Sequence, residues 1–245
     1  MNKIGIVILA AGKGTRMKSD LPKVLHQIHG RSMISLVLQA SVSIAPEDIV
    51  VVVGHQSELV KADVQKNIKV EFALQKVLLG TGDAVRTALP YLREGVETVL
   101  ILCGDTPLIR SETLIRMIDF HHKSGNDITL LGVDVNNPSG YGRLITNPDG
   151  SLNCIREQAD ASDEERRITT VNSGIYCVSR RFLIAALTGL TPDNAQKEYY
   201  LTDIVGIATQ SGYRAGVFQG TNPNEVMGVN TLEELLMAQE FMEKL

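Results

Sequence analysis

The sequence predicts an α/β protein built on a mostly parallel, mixed sheet with helices on both faces. Short unbroken apolar runs at 4–11, 49–53 and 98–103 have the length of strands buried on both sides. Segments with helical apolar spacing lie between them. The residues that interrupt the apolar pattern, at 12–23, 75–81 and Asp105, each follow a strand. In such a sheet they converge on one cleft at the carboxyl ends of the strands.

The first strand ends in Gly12-Lys13-Gly14-Thr15-Arg16-Met17, with Pro22-Lys23 just beyond. Glycines let backbone N–H groups approach an anion closely, and Arg16 and Lys23 add charge, which is how phosphate sites are built. The loop is not a P-loop, because no Gly-Lys-Ser/Thr follows at the required spacing. Nor is it a dinucleotide fingerprint: Met17 stands where the third glycine belongs, and the second strand ends in Gly54-His55 instead of an acidic residue.

Met33, Leu36, Val37 and Ala40 recur at helical spacing before strand 49–53, completing a βαβ unit. A short helix around Leu59, Val60 and Val64 precedes a strand over 69–74 that ends in Gln75. Leu79-Gly80-Thr81-Gly82-Asp83 then opens a helix that Pro90 stops. Strand 98–103 runs into Gly104-Asp105-Thr106-Pro107-Leu108, and Ser111 starts a helix through Leu114, Ile115 and Ile118.

From Asp127 the pattern changes. Strand pieces at 127–135, 142–146 and 152–157 alternate with the turn signals Asn137-Pro138-Ser139-Gly140 and Asn147-Pro148-Asp149-Gly150, a spacing that predicts hairpins. A strand over 169–178 is interrupted by Asn172-Ser173-Gly174. Helices through Phe182, Leu183 and Leu187 and near 204–208 precede a strand over 214–219. This half is expected to extend the same sheet and cover the cleft. Thr231-Leu232-Glu233-Glu234 carries a capping-box pattern. The expected organisation is one Rossmann-like unit over 1–228, followed by a connector-like C-terminal helix over 229–245.

Hydrophobic residues make up 44% and charged residues 21% of the 245, with net charge -4. That is ordinary globular composition, and a mild acidic excess argues against general nucleic-acid binding. No stretch approaches the roughly 20 apolar residues needed to span a bilayer, so no membrane partner is expected. Cys103, Cys154 and Cys177 are odd in number and lack C-x-x-C spacing. They read as reduced core thiols of a cytoplasmic protein.

A glycine loop with two cations suits a polyphosphate, which a divalent cation normally accompanies. Asp105 fits either a turn or helix-cap carboxylate or a hard ligand for Mg²⁺. Asn230 offers an amide oxygen as a second hard ligand, or serves as a helix cap. No G-x-S-x-G is present, His121 and His122 are adjacent on a helix, and His26, His29 and His55 lack partners at metal spacing. Phosphoryl-type transfer needs no protein nucleophile when the acceptor is itself an ionised phosphate.

Taken together these motifs resemble those of the sugar nucleotidyltransferases, most closely the uridyltransferase domains of bacterial N-acetylglucosamine-1-phosphate uridyltransferases. Beyond the loops already named, the likeness rests on Gly140-Tyr141-Gly142-Arg143, Glu157, Asn172-Ser173-Gly174, Glu198-Tyr199-Tyr200-Leu201-Thr202-Asp203 and Gly228-Val229-Asn230. The resemblance implies a nucleotide-diphospho-sugar transferase fold, and a reaction of UTP with N-acetylglucosamine 1-phosphate to UDP-N-acetylglucosamine and pyrophosphate. Carried over by motif, Leu9, Ala10, Ala11, Gly12, Gln75, Gly80 and Thr81 hold the uridine, with Gln75 and the Gly80 backbone on the uracil edge. Arg16 and Lys23 neutralise the triphosphate. Asp105 and Asn230 bind Mg²⁺. Gly140, Glu157, Asn172 and Thr202 line the sugar pocket. The sequence departs from the family pattern at Leu78, where Gln or Pro is common, at Asp83, where His is usual, and at Ala159, where Lys is usual. Bifunctional members continue into a β-helix of hexapeptide repeats. These residues contain no such repeat, so no acetyltransferase activity is expected of them. Other readings are the same chemistry with another sugar phosphate or nucleotide, a glycosyltransferase, which the lack of a D-x-D disfavours, and a silent nucleotide-sugar sensor.

Overall fold

A computed structural model describes residues 3–66 and 68–243. Its first strand, β1 (Ile4–Ala10), is followed by a two-residue ribbon, β2 (Gln27–Ile28) and β3 (Arg31–Ser32), and by helix α1 (Met33–Val42). Next come β4 (Asp48–Val53), α2 (Ser57–Val64), β5 (Glu71–Leu74), α3 (Thr81–Ala88), β6 (Thr98–Cys103) and α4 (Ser111–Ser124). β1 lies in parallel between β4 and β6, with Val7 opposite Val50 on one side and Ile101 on the other. Successive side chains of a strand point to opposite faces. Val7 therefore joins one apolar layer with α3, while Ile6 and Ile8 join another with α1, α2 and α4. Both faces are covered, which is why the run needs no polar alternation. β5 begins two residues later than expected, at Glu71, where its pairing with Val50 of β4 begins.

The second half contains β7 (Ile128–Asp134), β8 (Gly142–Thr146), β9 (Leu152–Arg156), β10 (Thr170–Ser179), α5 (Arg180–Thr188), α6 (Asp203–Gln210) and β11 (Ala215–Gln219). It extends the same sheet, in the order β11-β7-β10-β6-β1-β4-β5, with β8 and β9 attached through β10. The hairpin expectation holds for β8–β9 and fails for β7–β8. Both of those strands pair with β10, Val171 standing opposite Val133 of β7 and Arg143 of β8. The turn at 137–140 thus spans a strand instead of closing a hairpin. β10 is antiparallel to both β6 and β7, and its register slips between Asn172 and Tyr176. This is the interruption expected at Asn172-Ser173-Gly174, realised as a bulge. Of the three thiols expected in the core, only Cys177 is fully buried.

The last helix, α7 (Leu232–Met242), begins with the expected capping box: the Thr231 hydroxyl accepts from the Glu234 N–H and the Glu234 carboxylate accepts from the Thr231 N–H. Residues 244 and 245 of the helix expected over 229–245 lie outside those described. Leu235 and Ala238 of α7 pack with Met17, Met33, Leu108 and Val229 in a third apolar cluster, which seats the helix beneath the first loop.

Candidate active site

The ends of β1, β5 and β6 open onto one cavity of about 470 Å³. Leu9, Ala10, Ala11 and Gly12 line it from β1, Gln75, Gly80 and Thr81 from the β5–α3 connection, and Cys103 and Asp105 from β6. Backbone bonds tie these ends together: Gly104 N–H donates to Leu9 O at 2.9 Å, and Gln75 N–H to Val53 O at 2.8 Å. The three interruptions of the apolar pattern share this cavity.

The first loop folds back on itself. Gly14 has φ 62°, and a Cβ there would lie 2.5 Å from the Cβ of Lys23. Only glycine allows that crossing. It seats Lys23, whose ammonium donates to the Asp105 carboxylate and, at 2.9 Å, to Asn230 Oδ1. Arg16 donates to the same amide oxygen at 2.9 Å. Asn230 is brought there by its neighbour, since Val229 N–H donates to Asp105 O at 2.8 Å. The cap of α7 then holds it, Asn230 N–H donating to the Glu234 carboxylate at 2.6 Å. Arg16, Lys23, Asp105 and Asn230 thus form one hydrogen-bonded group of two cations, one carboxylate and one amide. The excess of positive charge attracts an anion. The two side-chain oxygens are hard donors, suited to Mg²⁺ taking one or two protein ligands with the rest from phosphate and water. Among the described residues no group of three or more His, Cys, Asp or Glu is arranged to hold a metal.

At the far end of the cavity Gln75 is buried, and its amide NH₂ donates to Gly80 O at 3.1 Å and to Asp83 at 2.9 Å. Gly80 has φ 108°, and a Cβ on it would lie 2.7 Å from the carbonyl oxygen of Tyr199. This close approach docks the segment after Glu198 on the loop: Tyr199 N–H donates to Leu79 O at 2.7 Å and Gly82 N–H to Tyr199 O at 2.8 Å. The Thr81 hydroxyl accepts from Leu201 N–H at 3.1 Å.

Gly140, Glu157, Asn172 and Thr202 do not line that cavity. Three of them cluster beside it. Asn172 donates to the Tyr176 hydroxyl at 2.6 Å and accepts from Gly174 N–H at 3.1 Å. Burial pushes the Glu157 carboxyl above its usual range, the Thr202 hydroxyl opposing the shift while Asp203 and Asp160 add to it. Cys103 joins the two regions: its thiol donates to Gly174 O at 3.5 Å. Burial, with Asp105 and Glu157 adding and Lys23 opposing, pushes that thiol up to about 12. Gly140 stands apart on an exposed turn, its N–H donating to Gln158 at 3.3 Å.

Sequence reasoning gave no place in the site to Glu198 and Cys103, which line the cavity, or to Glu234, which holds Asn230. Glu234 was legible as a capping residue, and Glu198 as part of a motif, but no spacing rule places either at a cleft. The histidines stay outside: His121 is buried against Thr129, and His122 meets Thr98. No helix among the described residues is long and apolar enough to cross a membrane.

The family model of the MobA-like NTP transferase domain matches residues 6–198. The chain belongs to this family. The MobA-like domain here is 46% identical to the bifunctional protein GlmU of Geotalea uraniireducens over 242 residues, 99% of this chain and 53% of that protein. It is 44% identical to GlmU of Clostridioides difficile over 238 residues, 97% of this chain and 51% of that one. The chain spans about half the length of the curated relatives it matches. The crystal structure of HddC from Yersinia pseudotuberculosis, complexed with GMP-PN, shares the fold of this MobA-like domain at TM-score 0.71 and 21% identity, covering 97% of this chain and 99% of that one.

Proposed function

We propose that this chain transfers a uridylyl group from UTP to N-acetylglucosamine 1-phosphate, with Mg²⁺, releasing pyrophosphate. The observation that carries the reading is the convergence of Arg16, Lys23, Asp105 and Asn230 at the mouth of the cavity. A triphosphate brought with a divalent cation suits such a group of cations and hard oxygens, and the similarity to GlmU proteins over nearly the whole chain supports the choice.

The uridine enters the cavity between the end of β1 and Gly80. The Gln75 side-chain oxygen accepts no hydrogen bond, and the Gly80 N–H donates none, among the described residues. An acceptor beside a donor complements the N3–H and adjacent carbonyl of uracil. Arg16 and Lys23 neutralise the phosphates. Asp105 and Asn230 would hold Mg²⁺, which when bound withdraws charge from the phosphate oxygens. Glu157, Asn172 and Thr202 bind the acceptor sugar and orient its phosphate. An oxygen of that phosphate attacks the α-phosphorus in line. The new P–O bond forms as the bond to the β-phosphate bridging oxygen breaks, and pyrophosphate departs with the electron pair. No protein nucleophile is needed, and positioning with charge neutralisation supplies the rate.

Pyrophosphate release measured over a panel of UTP, CTP and dTTP against several sugar 1-phosphates tests this reading. The expected maximum is UTP with N-acetylglucosamine 1-phosphate and Mg²⁺. A different best pair, or no turnover with any pair, overturns it.

A further inference from the structure

We infer that Asp83 is a positioning residue that sets the base preference of the nucleotide site, by fixing which end of the Gln75 amide faces the cavity. The inference rests on the nucleotide half of the proposed function. Gln75 is buried, and its NH₂ group meets two oxygens, Gly80 O at 3.1 Å and the Asp83 carboxylate at 2.9 Å. Both are acceptors and neither can donate. Rotating the amide would lose two hydrogen bonds and press its oxygen against a carbonyl and a carboxylate, so the orientation follows from the partners. Gln75 therefore shows the cavity an oxygen. That oxygen accepts from the N3–H of uracil. Cytosine has an unprotonated N3 there, which the same oxygen repels.

Asp83 is itself held. It is the third residue of α3, and the Arg86 guanidinium lies 3.9 Å from its other oxygen. Arg86 is anchored in turn, donating to Leu187 O at 2.7 Å and lying 4.9 Å above the Tyr199 ring. Without Asp83 only the single carbonyl of Gly80, already shared with Ala84 N–H, would oppose amide rotation. A rotated Gln75 offers NH₂ to the cavity and accepts cytosine.

The test is equilibrium binding of Mg–UTP and Mg–CTP by calorimetry, with no sugar phosphate present, to wild type, Asp83→Ala and Asp83→Asn. Wild type is expected to favour UTP by about 100-fold. In Asp83→Ala that ratio falls about tenfold or more, by weaker UTP and stronger CTP binding together, with the melting temperature near that of wild type. Asp83→Asn can either accept or donate at that position, so its ratio falls between those of wild type and Asp83→Ala. Should the alanine variant unfold, Asp83→Leu, which has no hydrogen-bonding side-chain atom, gives the same readout. An unchanged ratio in a folded Asp83→Ala, or a wild type without UTP preference, overturns the inference. UTP selectivity with the expected variant pattern but no pyrophosphate release overturns the transfer reaction and leaves this assignment standing.

Discussion

Lys23 donates both to the carboxylate of Asp105 and to the amide oxygen of Asn230, so the cation that would grip a phosphate is bonded to both oxygens that would hold a metal. The side chains of the ion pair are 15% and 21% exposed, so the cost of removing both charges from water offsets much of their attraction and the pair adds little net stability. Its consequence lies in function.

Asp105→Asn keeps the shape of the group and removes the charge. Its melting temperature should stay within a few degrees of wild type, while turnover falls at least about 100-fold and the Mg²⁺ concentration for half-maximal rate rises. Pyrophosphate release titrated with Mg²⁺ measures both. Wild-type activity in this variant would remove the metal assignment.

Glu157 supplies a pH signature. Burial raises its carboxyl above the ordinary 4.5. From 4.5 up to the raised value the folded state holds more protons than the unfolded one, so stability falls as pH rises through that window. Glu157→Gln should flatten the fall and melt higher than wild type at pH 8. If the residue binds the acceptor, KM for the sugar phosphate rises about tenfold in the same variant. Parallel melts at pH 5 and 8 with acceptor titrations separate the two effects.

His121 gives the opposite sign. Burial, with His122 adding, holds its imidazole down to about 4, against 6.5 for a free histidine. Between those values the unfolded chain binds the extra proton, so stability is complete above 6.5 and drains away as pH falls towards 4. The loss reaches about 3 kcal/mol. Urea unfolding at pH 7.5, 6 and 5 should show it, and His121→Gln should reduce it. A wild-type midpoint independent of pH over this range would contradict the assignment.

The α7 cap joins stability to the site. Thr231→Ala should cost about 1 kcal/mol in urea unfolding. Glu234→Ala should cost as much and also weaken nucleotide binding, because its carboxylate accepts from Asn230 N–H at 2.6 Å. Equal nucleotide affinity in Glu234→Ala and Thr231→Ala would show that the cap does not position Asn230.

Strand runs such as Val50 to Val53 and the loop glycines were legible because burial on both faces and close backbone approach leave a local mark in residue type. The hairpin misread between β7 and β8 has an equally plain cause. Turn residues report that the chain reverses, not which strand it reverses onto, and β10 fills the gap from elsewhere in the chain. Asp105 and Asn230 were each readable as caps or ligands. The bond from Val229 N–H to Asp105 O and the bridge made by Lys23 set them side by side.

By itself the sequence determined the alternation of strands and helices, the glycine-rich, cationic first loop and the cap of α7, since each depends on neighbours within a few positions. The tertiary structure decided that β10 runs antiparallel through the sheet, that Lys23 bridges Asp105 to Asn230, and that the Gln75 amide donates to both Gly80 and Asp83. Strand partners and hydrogen-bond orientation depend on groups far along the chain, and residue spacing carries no record of them until packing brings those groups together.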